Sequence, residues 1–140
     1  MKYLLDTCLI SELTKTAPNK KVVDWVLREN EKDLYISVLT FGELNKGIEK
    51  LAESQKKEAL RAWVKNELSH RFHDRIIGID IHISVIWGKI QCDAEKKGRP
   101  MPAIDSLIAA TGIAHDFIVV TRNTSDMEQS GAKLFNPWLV

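Results

Sequence analysis

Short apolar runs alternate along this chain with stretches in which apolar positions recur every three or four residues. Tyr3-Leu4-Leu5, Leu34-Tyr35-Ile36, Arg75-Ile76-Ile77-Gly78-Ile79 and Phe117-Ile118-Val119-Val120 read as buried strands. Lys133-Leu134-Phe135 predicts one more, at a sheet edge. Between these runs, Val22, Val23, Val26 and Leu27, with Trp25 beside them, recur at helical spacing. So do Leu39, Leu44, Ile48 and Leu51, and then Ile83, Ile86, Trp87, Ile90 and Ala94. A brief helix around Ser11-Glu12-Leu13 follows the first strand and is closed by Ala17-Pro18-Asn19. The polar stretch from Glu53 to Lys57 predicts a turn into a helix over residues 59–70. Leu60, Trp63, Val64 and Leu68 lie on one side of that helix. Core packing within the subunit is one use of such a face; a dimer or partner groove is the other.

The polar punctuation agrees with these periods. Ser37 is a good N-cap for a helix starting at Val38, and Asp80 for the next. Lys96-Lys97-Gly98 places cations in a last turn and a glycine just past it. Pro102 suits the first position of a helix running from Ala103 to His115, whose small residues Ala109, Ala110 and Gly112 permit close packing. Strands alternating with helices require crossover connections, and crossovers make parallel sheets. The prediction is a single-domain α/β/α sandwich over residues 1–140, built on a parallel sheet with flanking helices.

That topology gives four acids a common address. Ligands of open α/β sheets collect beyond the carboxyl ends of the strands. Asp6 ends the first strand, and Glu43 lies near the start of the helix leaving the second. Asp105 sits in the first turn of the helix that runs back toward Phe117, and Asp126 follows that last strong strand in a polar loop. Three have a plainer reading, a turn residue at Asp6, a capping box between Thr40 and Glu43 and a dipole complement at Asp105, and Asp126 is the weakest by position. Agreement of four separate segments outweighs each taken singly. Clustered carboxylates without histidine or cysteine ligands favour Mg²⁺ or Mn²⁺ over zinc, and such a cation relieves their repulsion. A hard divalent cation in turn points to phosphodiester chemistry.

Bulk properties narrow the picture only slightly. In 140 residues, 44% hydrophobic content suffices for a core without disulfides or structural metal. A net charge of +1 offers no strong field for coating nucleic acid or a membrane. Cys8 and Cys92 lack zinc-site spacing and read as buried free thiols in helices. Met1-Lys2 leads directly into a strand, without a signal peptide's longer apolar stretch, and no run is long enough to span a membrane, so a cytoplasmic location is expected. His70 and His73 read as exposed polar residues, and Arg122 either as a phosphate contact or as half of a surface ion pair.

Four segments resemble one known family. The opening Leu4-Leu5-Asp6-Thr7-Cys8-Leu9-Ile10-Ser11-Glu12-Leu13 is similar to the start of PIN-domain proteins, especially the VapC and FitB toxin branch. Ser37-Val38-Leu39-Thr40-Phe41-Gly42-Glu43-Leu44 resembles the second acidic motif of that family, and Pro102-Ala103-Ile104-Asp105-Ser106-Leu107-Ile108-Ala109-Ala110 the third. Val119-Val120-Thr121-Arg122-Asn123-Thr124-Ser125-Asp126-Met127 resembles the fourth, with its Thr-Arg-Asn signature. The resemblance implies a metal-dependent ribonuclease, the toxin of a toxin–antitoxin pair, often dimeric. It implies an antitoxin partner, an RNA substrate, and DNA contact only through the antitoxin. Carried across, Asp6, Glu43, Asp105 and Asp126 are the metal-site acids, with Thr7, Ser37 and Asn123 as polar supports. Cys8 departs from the pattern, since many relatives carry asparagine there.

Rival chemistries fit less well. A receiver-type phosphate-handling domain needs a lysine after a late strand, where this chain has Arg122. A haloacid-dehalogenase-like phosphatase needs a second aspartate two positions after the first, and that position is Cys8. A non-catalytic role, strengthening an antitoxin's hold on operator DNA, would not require four like charges in one place.

Overall fold

The computed structural model describes residues 1–139; Val140, the end of the predicted 1–140 domain, lies outside the described residues. Five strands, β1 (Tyr3–Leu5), β2 (Leu34–Ser37), β3 (Ile76–Ile77), β4 (Ile118–Val120) and β5 (Lys133–Phe135), form one sheet in the order β3-β2-β1-β4-β5. Every neighbouring pair is parallel, as the alternation of strands and helices predicts. The chain builds outward from β1 to β2 and β3, then crosses to the other side of β1 to place β4. The crevice between β1 and β4 is therefore the point at which strand order reverses, where α/β sheets bind ligands.

Side-chain alternation divides the core between the two faces of the sheet. Leu5, Leu34, Ile36 and Val120 pack on one face against Leu9 and Ile10 of α1 (Thr7–Leu13) and Val22, Trp25 and Val26 of α2 (Lys20–Arg28). Leu4 and Val119 face the other way, toward Ile108 of α7 (Ala103–His115) and Met127 of α8 (Thr124–Met127). Helix α6 (Ile81–Lys96) lies on α7 through Ile83, Ile90 and Ala94. The approach of α7 to β4 is close. A Cβ at Gly112 would stand 2.6 Å from Val119 Cγ2, so that turn of the helix has no room for a side chain.

Capping residues fix the helix starts. Asp6, Asn19 and Asp80 accept from the amides of α1, α2 and α6. Ser37 caps α3 (Val38–Glu49) by accepting from Leu39 N, which removes the capping-box reading of Thr40 and Glu43. Helix α4 (Gln55–Ala62) begins four residues before the expected Ala59, because Ser54 caps it and Lys57 in its first turn folds inward to donate to the Glu49 and Leu51 carbonyls. The helical path continues through a π-helical stretch, Trp63–Leu68, into α5 (Ser69–Arg71). Leu68 is buried there, and Trp63 and Val64 pack against the core, while Leu60 lines a surface cleft beside them, so the face serves the subunit's own interior in part.

Three expectations are corrected. Strand β3 is shorter than residues 75–79, because its partner β2 turns into α3 at Ser37 and leaves Gly78 and Ile79 unpaired. Asp126 lies in the short helix α8, not in a loop. Cys92 is exposed, and Cys8 is partly buried. On α6, Cys92 lies about half a turn around from Ile90 and Ala94, on the face away from α7.

Candidate active site

The carboxyl edge of β1, β2 and β4 carries the predicted acids. Asp6 immediately follows β1, and its backbone N–H extends the sheet by donating to Val120 O at 3.0 Å. Its side chain is only 4% exposed. Oδ1 accepts from Thr7 N at 2.8 Å, so the candidate site carboxylate Asp6 also caps α1. Oδ2 accepts from the Thr121 hydroxyl at 2.8 Å and lies 3.7 Å from Cys8 Sγ, a donor in the same direction. Burial pushes the Asp6 pKa up, and these three donors oppose the rise.

Glu43 lies on the second turn of α3, partly buried. The Thr7 hydroxyl donates to its Oε1 at 2.5 Å and also lies 3.2 Å from the oxygen of Thr40, a fully buried side chain on the same helix. Asp105 stands in the first turn of α7, partly buried, and Asp126 is in α8 with its side chain in solvent. The Asp105 pKa rises to about 6. Burial is the largest cause, followed by the charges of Asp6, Asp126 and Glu43. Each of the other three acids thus repels charge on Asp105, so the four share one electrostatic site.

The supporting residues divide. Thr7 joins the first acid's helix to the second acid. Ser37 is fully buried and uses its hydroxyl to cap α3. Asn123 precedes α8 and donates its backbone N–H to Thr121 Oγ1 at 3.0 Å; its side chain makes no capping bond. His70 and His73 are exposed and take no part.

Two polar residues at the heart of this arrangement escape a reading of the acids alone. Thr121 is fully buried and bonds Asp6 across 115 residues of chain. Its signal was its place directly after β4, in register with Asp6 after β1. Cys8 replaces the expected asparagine but does not break the contacts around it. Its sulfur lies 3.6 Å from Thr121 Oγ1 and accepts from Arg122 N at 3.5 Å. Burial and the Asp6 charge push its thiol pKa up, so Cys8 stays a neutral thiol.

The donor set is oxygen-rich and mutually repulsive, which suits a hard divalent cation. It is also open. Among the described residues, no group of three or more acidic, histidine or cysteine side chains is gathered to hold a metal ion unaided. Asp6 is already engaged by three protein donors and Glu43 by one, so water must complete any coordination shell, as magnesium sites ordinarily allow.

Residues 3–129 match the PIN domain family. The chain is a PIN-domain protein. Toxin FitB of Neisseria gonorrhoeae is 34% identical over 135 residues, 96% of this chain and 97% of that one. VapC ribonuclease Y4jK of Sinorhizobium fredii is 31% identical over 135 residues, 96% of each chain. Among solved structures, the crystal structure of FitAcB from Neisseria gonorrhoeae holds a chain that superposes with a TM-score of 0.92 at 33% identity, covering 99% of both chains. FitAB bound to an IR36 DNA fragment gives 0.90 at 33% identity, over 97% of this chain and 95% of that one. These PIN-domain relatives match from end to end, so the likeness takes in all four acidic segments. Within this PIN domain no helix among the described residues is long and apolar enough to cross a membrane.

Proposed function

We propose that this PIN-domain protein is a metal-dependent endoribonuclease and the toxin of a toxin–antitoxin pair, restrained by its cognate antitoxin. The observation that carries this reading is the convergence of acids at one sheet edge: Thr7 bonds both Asp6 and Glu43, and Asp105 at the start of α7 has its carboxyl raised to about 6 in part by the charges of Asp6, Glu43 and Asp126. A scaffold gains nothing from a half-buried carboxyl held against three like charges; a cation site does. Similarity to proteins named ribonucleases and toxins supplies the reaction class.

Asp6 and Asp105 would hold Mg²⁺ or Mn²⁺, with Glu43 and Asp126 bound directly or through water. When bound, the cation supplies water activation and charge neutralisation at the scissile phosphodiester. The protein's own part is orientation. Thr121 and the start of α1 fix the Asp6 carboxylate, and Thr7 fixes Glu43. Attack by water in line with the scissile bond leaves a 3′-hydroxyl and a 5′-phosphate. Glu43 also lines two clefts, of about 440 and 550 Å³. The larger carries Lys46 and Lys50, cations suited to an RNA backbone.

The test is cleavage of RNA by purified protein. Activity with Mg²⁺ or Mn²⁺ is expected, with loss in EDTA and a loss of about 10³-fold or more in Asp6→Asn of unchanged fold. Full activity in EDTA or in that variant refutes the assignment. The non-catalytic alternative, support for an antitoxin's grip on operator DNA, predicts no cleavage by the free protein and undiminished DNA binding by the complex of Asp6→Asn.

A further inference from the structure

The segment from Thr121 to Asp126 carries the fourth acid, yet the sheet secures only its first residue, through Thr121 N to Phe135 O at 2.9 Å. Beyond Asp126 the buried side chain of Met127 anchors α8 in the core, and on the N-terminal side the segment is held by α1. The Arg122 backbone N–H donates to Cys8 Sγ at 3.5 Å, and its guanidinium lies 3.4 Å from Glu12 Oε1. The same guanidinium lies over the Trp138 ring, its carbon 4.4 Å from the centroid. Glu12 is a buried anchor, 5% exposed, also bound by Lys15 Nζ and by Asn19 N. Trp138 packs against the core with its Nε1 unpaired, so packing and the cation hold the ring.

We propose that Arg122 is a positioning residue for the candidate metal site. Clamped between Glu12 and Trp138, it ties the segment bearing Asn123 and Asp126 to the helix that Asp6 caps. Two acids 120 residues apart in sequence are thereby referred to a single rigid element, α1. The clamp adds a tether at the N-terminal side of this four-residue helix, whose C-terminal end is anchored by the buried Met127. An arginine bound only to Glu12 at the surface would matter little. One also stacked on an aromatic ring, with its own amide bonded to the first acid's neighbour, restricts a loop on both of its sides. This inference rests on the metal-site reading above.

Titration of metal-free protein with Mn²⁺ alone, followed by electron paramagnetic resonance, separates the two. No binding by the parent protein removes the metal-site reading itself. If the parent binds, Arg122→Ala is expected to weaken Mn²⁺ by about tenfold, as supporting partners of metal ligands do, which corresponds to about 1.4 kcal/mol. Arg122→Lys, which keeps the charge but not the flat stacking surface, should fall between. The decisive arm is the cycle with Asp126→Asn: once that acid is gone, Arg122→Ala should cost little more. Unchanged Mn²⁺ affinity in Arg122→Ala overturns the proposal, as do losses that simply multiply in the double variant. A raised KM for RNA with a flatter salt dependence and unaltered Mn²⁺ binding would instead make Arg122 a phosphate contact, and overturn it equally. Should Arg122→Ala unfold, Trp138→Leu removes the stacking ring while keeping an apolar side chain against the core, and is expected to shift Mn²⁺ affinity in the same direction.

Discussion

Asp105 shows how one side chain records its neighbours. Its carboxyl holds a proton up to about pH 6 in the folded chain against 3.8 ordinarily. Between those values the folded state binds more protons than the unfolded one, so this residue makes stability fall as pH rises. In metal-free protein, Asp105→Asn should therefore be more stable than the parent at pH 7.5, by about 1 kcal/mol after allowance for solvent screening at a partly exposed site. The advantage should vanish below pH ~4, where the parent carboxyl is protonated in both states. Urea unfolding at the two pH values checks the sign. Protons and cations compete for the same oxygens, so Mn²⁺ affinity should weaken as pH falls through about 6. Thr121 makes a second case. Thr121→Val keeps the shape and removes the donor to Asp6 Oδ2, and should lower metal affinity by roughly tenfold.

Helices and strands were legible where apolar periodicity and caps coincide. Leu4 and Leu5 belong to opposite faces of the sheet, as alternation demands, and Ser37 and Asp80 cap as their positions predict. Asp6, Glu43 and Asp105 could be placed on one edge because parallel topology leaves them nowhere else. The helix around Asp126 was not legible, since four residues are too few to establish a period. Cys92 was misread as buried although its own helix showed the answer: Ile83, Ile90 and Ala94 define the packed side, and Cys92 opposes it. Thr121 was quoted within a motif, but its bond to Asp6 depends on strand register, which no local pattern encodes. At this scale Gly112 invites a direct test. Gly112→Ala forces a methyl into Val119 and should destabilise by about 1–3 kcal/mol despite alanine's better helix propensity, with metal affinity little changed. Thermal melts and Mn²⁺ titration together separate packing from site.

As a whole, the molecule is an electrically quiet subunit, net charge +1, with four of its nineteen acids facing one another at one edge. Association by general attraction to nucleic acid is not expected of such a surface, so recognition must be local and partner control specific. Co-expression with the product of the neighbouring reading frame should rescue growth and yield a stoichiometric complex; rescue without co-purification would argue against direct restraint. Sedimentation of the free protein should give about twice the 15.9 kDa subunit mass if two copies pair. The bond from Thr121 to Asp6 joins opposite ends of the polypeptide, and β1 finds β4 only after more than a hundred intervening residues have been made. A ribosome translating this message therefore adds more than a hundred residues after Asp6 before the partner that holds its carboxylate exists. If the finished protein cuts RNA, its own transcript and the machinery reading it are spared until the last strands emerge.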